Sequence, residues 1–411
     1  MKKTSIALAC ALACLSSAHA QLTAEPQPIT GLNVELHEPQ WYAVQAALWN
    51  AKALKSPTDE RAWKNYYMAT TYAELYEADD TVSADLAFGE LENAIPDTYT
   101  YYYCKYRNQR NRDGVAPEVA EGYLRKAMEM LPKKMDFFDY DVLTSFCAMH
   151  DNCPKLKQIA TSYLKSGIYS PYVLDYSRNE LRSCGTNAIY ITHQEPLAVS
   201  KWVLINSTEE FKDNYCIFYD MLSDAQYVEK VFRDLGVTED IPTEFSQYGS
   251  TGIPMIIKAL YNRTMRPVYF GFGTIDENSM LYKDVYPEGL VDRLSKEEYD
   301  FQDKITSHLE QAIDHKAMCQ PASADKWQCS NQLAMGYANM LTQAIYCYAV
   351  NSNKAKAEWA YKMLTDIVNA TTYDDEQKKA ILSNADLYID CARKGIDPYT
   401  VINPDGEEEE E

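Results

Sequence analysis

The sequence predicts a mainly α protein with an α/β insert: a helical hairpin array flanking a small three-layer α/β unit. Three observations carry this expectation. Apolar residues recur at helical spacing across 41–182 and again across 296–395. Between them lie three short runs rich in β-branched and aromatic residues, 188–192, 214–221 and 267–271, separated by helical stretches. Hydrophobic residues make up 46% of 411 positions, enough to bury a core, which excludes global disorder.

Residues 1–20 read as a secretory signal, with Lys2 and Lys3 at the start, an apolar stretch over 6–15 and Ala18-His19-Ala20 as a small-x-small cleavage site. An outer-membrane lipoprotein anchored through Cys14 is the second choice, because Ala11 stands where a lipoprotein signal wants leucine. Loss of this segment removes two lysines and no acids, so the net charge of −21 becomes −23. Such a surface repels nucleic acid and anionic lipid. After residue 20 no apolar run is long enough to span a bilayer, so the mature chain is expected without a transmembrane segment, periplasmic or secreted.

Residues 21–40 read as an extended, proline-punctuated leader. The helical hairpin domain follows over 41–182, with Pro57-Thr58-Asp59 breaking and recapping the chain and helices expected at 84–95, 116–131, 135–149, 155–165 and 172–182. The run YTYYYCKY at 99–106 fits a helix or a strand. The small α/β domain is expected over 183–295, where 255–261 also fits either state. Helices return over 296–395, and the tail 396–411 ends in Glu407 to Glu411, five like charges expected to be solvated and disordered. The 33 tyrosines are expected in helix seams with their hydroxyls at the rim; a sugar-binding aromatic surface is the sharper alternative.

The chain has 11 cysteines, two of them in the signal, which leaves nine for an oxidising compartment. Cys147 with Cys153, and Cys319 with Cys329, span short loops that a disulfide can close; Cys347 and Cys391 fall in two helices that a third would bridge. Zinc at Cys147, His150 and Cys153 is the weaker reading, since the spacing is not Cys-x-x-Cys, and neither metal nor cofactor is expected. Gly271-Phe272-Gly273 reads as a strand-end turn and not as a phosphate loop, because no full glycine motif surrounds it.

The candidate site lies where the first strand meets the helix opened by Pro196. His193 and Glu195 are two apart and point the same way on an extended chain, and with Asp220 at the end of the second strand they form an acid–base set at the carboxyl ends of the strands. The plainer reading has Glu195 capping the helix and His193 bonding backbone in the turn.

Several stretches carry resemblances. Pro57 to Tyr72 and the run Ala127 to Pro132 are similar to parts of a tetratricopeptide unit. Asn187-Ala188-Ile189 with Thr192, then Trp202, Asp213 and Tyr227, and later Arg266-Pro267-Val268-Tyr269-Phe270 and Glu288-Gly289-Leu290, resemble the extracytoplasmic α/β portion of uncharacterised bacterial membrane proteins related to protein O-mannosyltransferases. The resemblance implies a fold and no established biochemistry. The acidic run of that family is replaced here by His193-Gln194-Glu195-Pro196-Leu197-Ala198, where only Glu195 is acidic, which implies that any metal or sugar binding by the run is lost.

The function expected from all this is a non-enzymatic protein–protein interaction or scaffold module of the cell envelope, with an envelope protein as partner and a glycan as a further possibility. The alternative is a glycan-handling or hydrolytic enzyme using His193, Glu195 and Asp220.

Overall fold

A computed structural model describes residues 25–402 except 33, 79–81, 111, 151–152, 154, 194–195, 298–300, 326 and 328–329. The expected signal 1–20, Glu195, Cys329 and the terminal glutamates lie outside the described residues. The protein is mainly helical with one small mixed sheet, and it divides into two compact units, residues 1–139 and 140–411. The domain boundaries expected at 183 and 296 therefore both fall inside the second unit.

The first unit holds α1 (Pro39–Lys55), α2 (Glu60–Leu75), α3 (Ala84–Ala94), α4 (Tyr99–Gln109) and α5 (Pro117–Glu129), each packed on the next. The run at 99–106 is helical because Thr98 caps it, its side chain accepting from the Tyr101 amide, while Tyr99, Tyr101 and Tyr103 turn inward. The leader is tied down: the Ile29 amide donates to Asn65 Oδ1 at 2.8 Å, and the Trp49 indole donates to the Gln27 carbonyl at 2.7 Å. Tyrosines fill the seams, as Tyr42 does against Tyr72 with ring centres 5.3 Å apart. Lys64, Asp139 and Tyr99, all buried, form a polar knot with the half-exposed Asp136. Lys64 Nζ lies 2.6 Å from Asp136 and 2.8 Å from Asp139, and the Tyr99 hydroxyl donates to Asp139 at 2.8 Å. Burial disfavours the Lys64 charge, but the two carboxylates outweigh it and hold the ammonium above its ordinary range.

The second unit opens with α6 (Phe137–Met149), α7 (Leu156–Lys165) and α8 (Pro171–Ser183) and then enters a five-stranded sheet. The strands are β1 (Ile189–Thr192), β2 (Tyr215–Phe218), β3 (Val268–Gly271), β4 (Val285–Glu288) and β5 (Val291–Leu294), in the order β2-β1-β3-β5-β4. The first three are parallel, with Ile189 opposite both Tyr215 and Val268. All four residues of β1 and of β3 are buried, as strands covered on both faces must be. The crossovers are α9 (Pro196–Ser207) between β1 and β2, then α10 (Ala225–Asp234) and α11 (Ile253–Thr264) between β2 and β3. The stretch 255–261 is thus helical.

The β4–β5 hairpin is an addition to the expected three strands. It joins β3 antiparallel and turns through Gly289-Leu290, where Gly289 has φ +76°, a conformation that glycine adopts without steric cost. Its sequences, VYPE and VDRL, mix proline and charge with few apolar residues and so carry little strand signal.

The chain then forms α12 (Gln302–Gln311), α13 (His315–Met318), α14 (Ser330–Val350), α15 (Lys354–Asn369), α16 (Asp375–Lys394) and α17 (Pro398–Ile402). The acidic tail thus begins with a helical turn at 398–402. A column of stacked rings explains why 140–182 belongs with these helices: Tyr140 on Tyr163 at 4.4 Å, Tyr163 on Tyr169 at 4.7 Å, Tyr169 on Trp327 at 5.2 Å. The Trp327 indole also donates to the Ile168 carbonyl at 3.0 Å.

Cys147 and Cys153 form the expected disulfide. The expected Cys347–Cys391 bridge does not form; the two residues lie buried on α14 and α16. Packed helix axes stand about 8–10 Å apart, so seam cysteines meet only where both Cβ atoms point straight at each other. Cys319 is exposed, with no disulfide partner among the described residues.

Candidate functional site

Two of the three expected site residues come together. His193 follows β1 directly, and Asp220 opens the 3-10 turn Asp220–Ser223 just past β2. His193 Nδ1 lies 3.0 and 3.1 Å from the two Asp220 carboxylate oxygens. The side chains are 39% and 55% exposed, so the pair stands at the surface. A carboxylate on Nδ1 fixes the imidazole tautomer and leaves Nε2 as the basic nitrogen. Glu195, the third member, is not among the described residues.

A more enclosed arrangement lies beside it. The chain leaves β1 toward β2 on one side and returns to β3 on the other, so β1 and β3 flank a topological switch point, where open α/β sheets take their ligands. A cavity of about 360 Å³ opens there, at the carboxyl ends marked by Thr192 on β1 and Phe272-Gly273 after β3. Its polar lining is Glu180, Thr192, Lys201 and Gln332; Tyr176, Phe272, Leu333, Met335 and Tyr373 supply aromatic and apolar walls.

Glu180 comes from the last turns of α8 and Lys201 from the middle of α9. They are 1% and 4% exposed, and Lys201 Nζ lies 2.9 Å from Glu180 Oε2. The other carboxylate oxygen, Oε1, accepts from the Tyr190 hydroxyl at 2.6 Å. Oε2 lies within ion-pair distance of the lysine and, among the described residues, accepts no aligned hydrogen bond. The Lys201 ammonium also stands 5.4 Å over the Tyr176 ring. Burial and the nearby Glu180 charge raise the Tyr190 hydroxyl well above its usual range, keeping it a donor. Burial and then Glu180 also push the Asp292 carboxyl on β5 up to about 6.

Gly271 makes this arrangement possible. A Cβ there would stand 2.4 Å from the Tyr190 hydroxyl and 3.1 Å from Glu180 Oε1, closer than packed atoms approach. The glycine read from the sequence as a strand-end turn is thus the point at which β3 passes the buried carboxylate.

Glu180 and Lys201 were not among the expected site residues, yet each left a signal. Glu180 falls on the stripe of Val173 and Tyr176, at helical spacing among buried positions. Lys201 is the only charged residue in the apolar helix PLAVSKWVLINS. A charge on an apolar face is either paired or displaced, and here the two answer each other. Among the described residues no group of histidine, cysteine and carboxylate side chains could hold a metal ion, and no helix is long and apolar enough to cross a membrane. No family model, curated protein or solved structure matches the chain.

Proposed function

We propose that this chain is an exported, non-enzymatic recognition module of the cell envelope, and that its α/β unit receives a ligand in the crevice between the ends of β1 and β3. The observation that carries the reading is the buried Glu180–Lys201 pair in the wall of that cavity. Each charge is held by the other, and the tyrosine fixes the carboxylate, so the pair suits fixed recognition better than proton transfer. The helices of the first unit, read as tetratricopeptide-like hairpins, would hold an envelope protein partner, the common use of such arrays. Kinship with the α/β region of the O-mannosyltransferase-related membrane proteins belongs to the same reading. It is supported by the matched residues Ile189 and Thr192 lying on one strand and Val268, Tyr269 and Phe270 on the adjacent parallel one.

The test is native mass spectrometry of the full chain recovered gently from its own envelope, beside Met335→Trp, which fills the crevice, and His193→Ala. A small-molecule adduct present in the unmodified and His193→Ala proteins and missing from Met335→Trp is the expected result. An adduct indifferent to Met335→Trp overturns the crevice assignment.

The second reading, a hydrolytic or glycan-handling enzyme, rests on the His193–Asp220 geometry. It predicts turnover of envelope glycan fragments that is lost in both His193→Ala and Asp220→Asn. Turnover unchanged in these variants removes it.

A further inference from the structure

We infer that a second cavity, at the amino end of β3 and walled by Arg266, Arg293 and Lys296, binds the phosphate group of a small soluble molecule. It is independent of the crevice, which lies at the carboxyl ends of the same strands.

The topology brings the three cations together. Arg266 lies between the end of α11 and the start of β3. β5 runs antiparallel to β3 with Arg293 opposite Tyr269, so the chain leaving β5 passes the amino end of β3 and brings Lys296 there. The three side chains line one cavity of about 450 Å³, with Tyr261 and Asn262 from the last turn of α11. Such a gathering stands out in a chain of net charge −21.

What holds these cations decides the reading. Arg266 Nε donates to the Asn187 carbonyl at 3.0 Å and Nη2 to the Asp213 carbonyl, so it rivets the amino ends of β1 and β2 to that of β3. Lys296 Nζ donates to the Asn262 side-chain oxygen and stands 5.7 Å over the Tyr261 ring. These acceptors are neutral, so they take hydrogen bonds without cancelling charge. Burial lowers the Arg266 pKa below its ordinary value, and the Asp213 charge offsets this only in part. Arg293 has a carboxylate at hand, Glu288 Oε2 at 3.4 Å, but the other Glu288 oxygen is 3.8 Å from His308. Glu288 is buried on β4, while Asp213 and Glu297, the residue after Lys296, are exposed. None of these acids lines the cavity, whose described walls hold three cations and no carboxylate.

Two guanidinium groups and an ammonium suit a phosphate better than a carboxylate. Guanidinium presents paired N–H donors and lysine a point charge, and a phosphate monoester answers with nearly two charges and three acceptor oxygens. The acidic surface around the cavity turns away extended polyanions and anionic bilayers, so a small molecule is the occupant that reaches these cations. Tyr261, Pro267 and Met265, the last 88% exposed, leave room for a compact apolar or aryl group beyond the phosphate.

The experiment is titration calorimetry of the full chain with inorganic phosphate and phenyl phosphate, with acetate as the carboxylate control. Sedimentation with phosphatidylglycerol vesicles tests a lipid source. The variants are Lys296→Gln, Lys296→Glu, Lys296→Arg and Met335→Trp, each with a thermal melt. Lys296 is exposed, so its replacement spares the fold, whereas Arg266 is kept because it ties the strands. The expected result is saturable binding of both phosphates, weakened about tenfold or more by Lys296→Gln and abolished by Lys296→Glu. Lys296→Arg should retain it, and Met335→Trp, which fills only the crevice, should leave it unchanged. Phosphate binding undiminished in Lys296→Glu would overturn the site, as would no saturable binding of either phosphate. Acetate binding as tightly as phosphate would overturn the ligand class. Vesicle binding without binding of the soluble phosphates would overturn the soluble source.

Discussion

Glu180 and Lys201 meet at 2.9 Å with side chains 2% and 5% exposed, one from the helix before β1 and one from the helix after it. The contact therefore ties the entry and exit of the central strand together. Removing one partner strands the other in a buried site, and Glu180→Gln or Lys201→Met alone is expected to cost about 3–5 kcal/mol. The double variant is expected to recover most of that loss. Urea unfolding of the two single variants and the double one measures it, and additive single losses would show that the two side chains act independently.

Gly271→Ala puts a methyl into the Tyr190 hydroxyl and against Glu180. The expected loss is about 1–3 kcal/mol, as for overpacking elsewhere. In a Tyr190→Phe background the closest obstacle is gone and the same substitution should be milder. Equal losses in both backgrounds would place the strain elsewhere.

The contrast between β3 and β5 shows how much was legible in the sequence. PVYFG reads as a strand because its residues are buried on both faces and their types say so. VDRL is defined by its partners, Tyr269 opposite Arg293 and Phe270 opposite Asp292, and not by its own composition. Most helices were legible from periodicity and caps, whereas 99–106 and 255–261 fitted either state. The same holds for the site: His193 and Asp220 were visible as polar residues at strand ends, whereas Glu180 and Lys201, 21 residues apart, gain meaning only from the meeting of two helices. Asp292 is the extreme case, since its environment is set by α8 and a hairpin without sequence signal.

Asp292 makes a pH prediction. Burial and Glu180 raise its folded pKa to about 6, while in the unfolded chain it titrates near ~4. Between these values the folded state binds more protons than the unfolded one, so stability falls as pH rises through that window. Above it the ionised carboxylate costs about 3 kcal/mol. Asp292→Asn should accordingly raise the melting temperature at pH 7.5, have little effect at pH 4, and flatten the slope between. A variant less stable at pH 7.5 would contradict this.

In the first unit, Lys64→Met leaves Asp136 and Asp139 facing each other without their cation, with an expected loss of about 3 kcal/mol at pH 7.5. Burial first, and then Asp136, push the Asp139 carboxyl up to about 6 even with the lysine present. Without it, Asp139 takes up a proton more readily, so the loss should shrink at pH 5. Chemical denaturation at the two pH values reads the difference, and a loss that grows toward pH 5 would rule the account out.

The position of β1 has a consequence for how the chain can be made. Both of its neighbours are later in the sequence, Tyr215–Phe218 on one side and Val268–Gly271 on the other. As the chain emerges from its amino end, this fully buried strand is produced first and waits for cover. A two-stranded ribbon of β1 and β2 is marginal by itself, and its open edge, IYIT, invites pairing with another copy. Chains cut off before Val268 are expected to aggregate, and those carried through Leu294, where the hairpin shields the edge of β3, to remain dispersed. The vulnerable interval of biosynthesis thus lies between two strands that end up side by side.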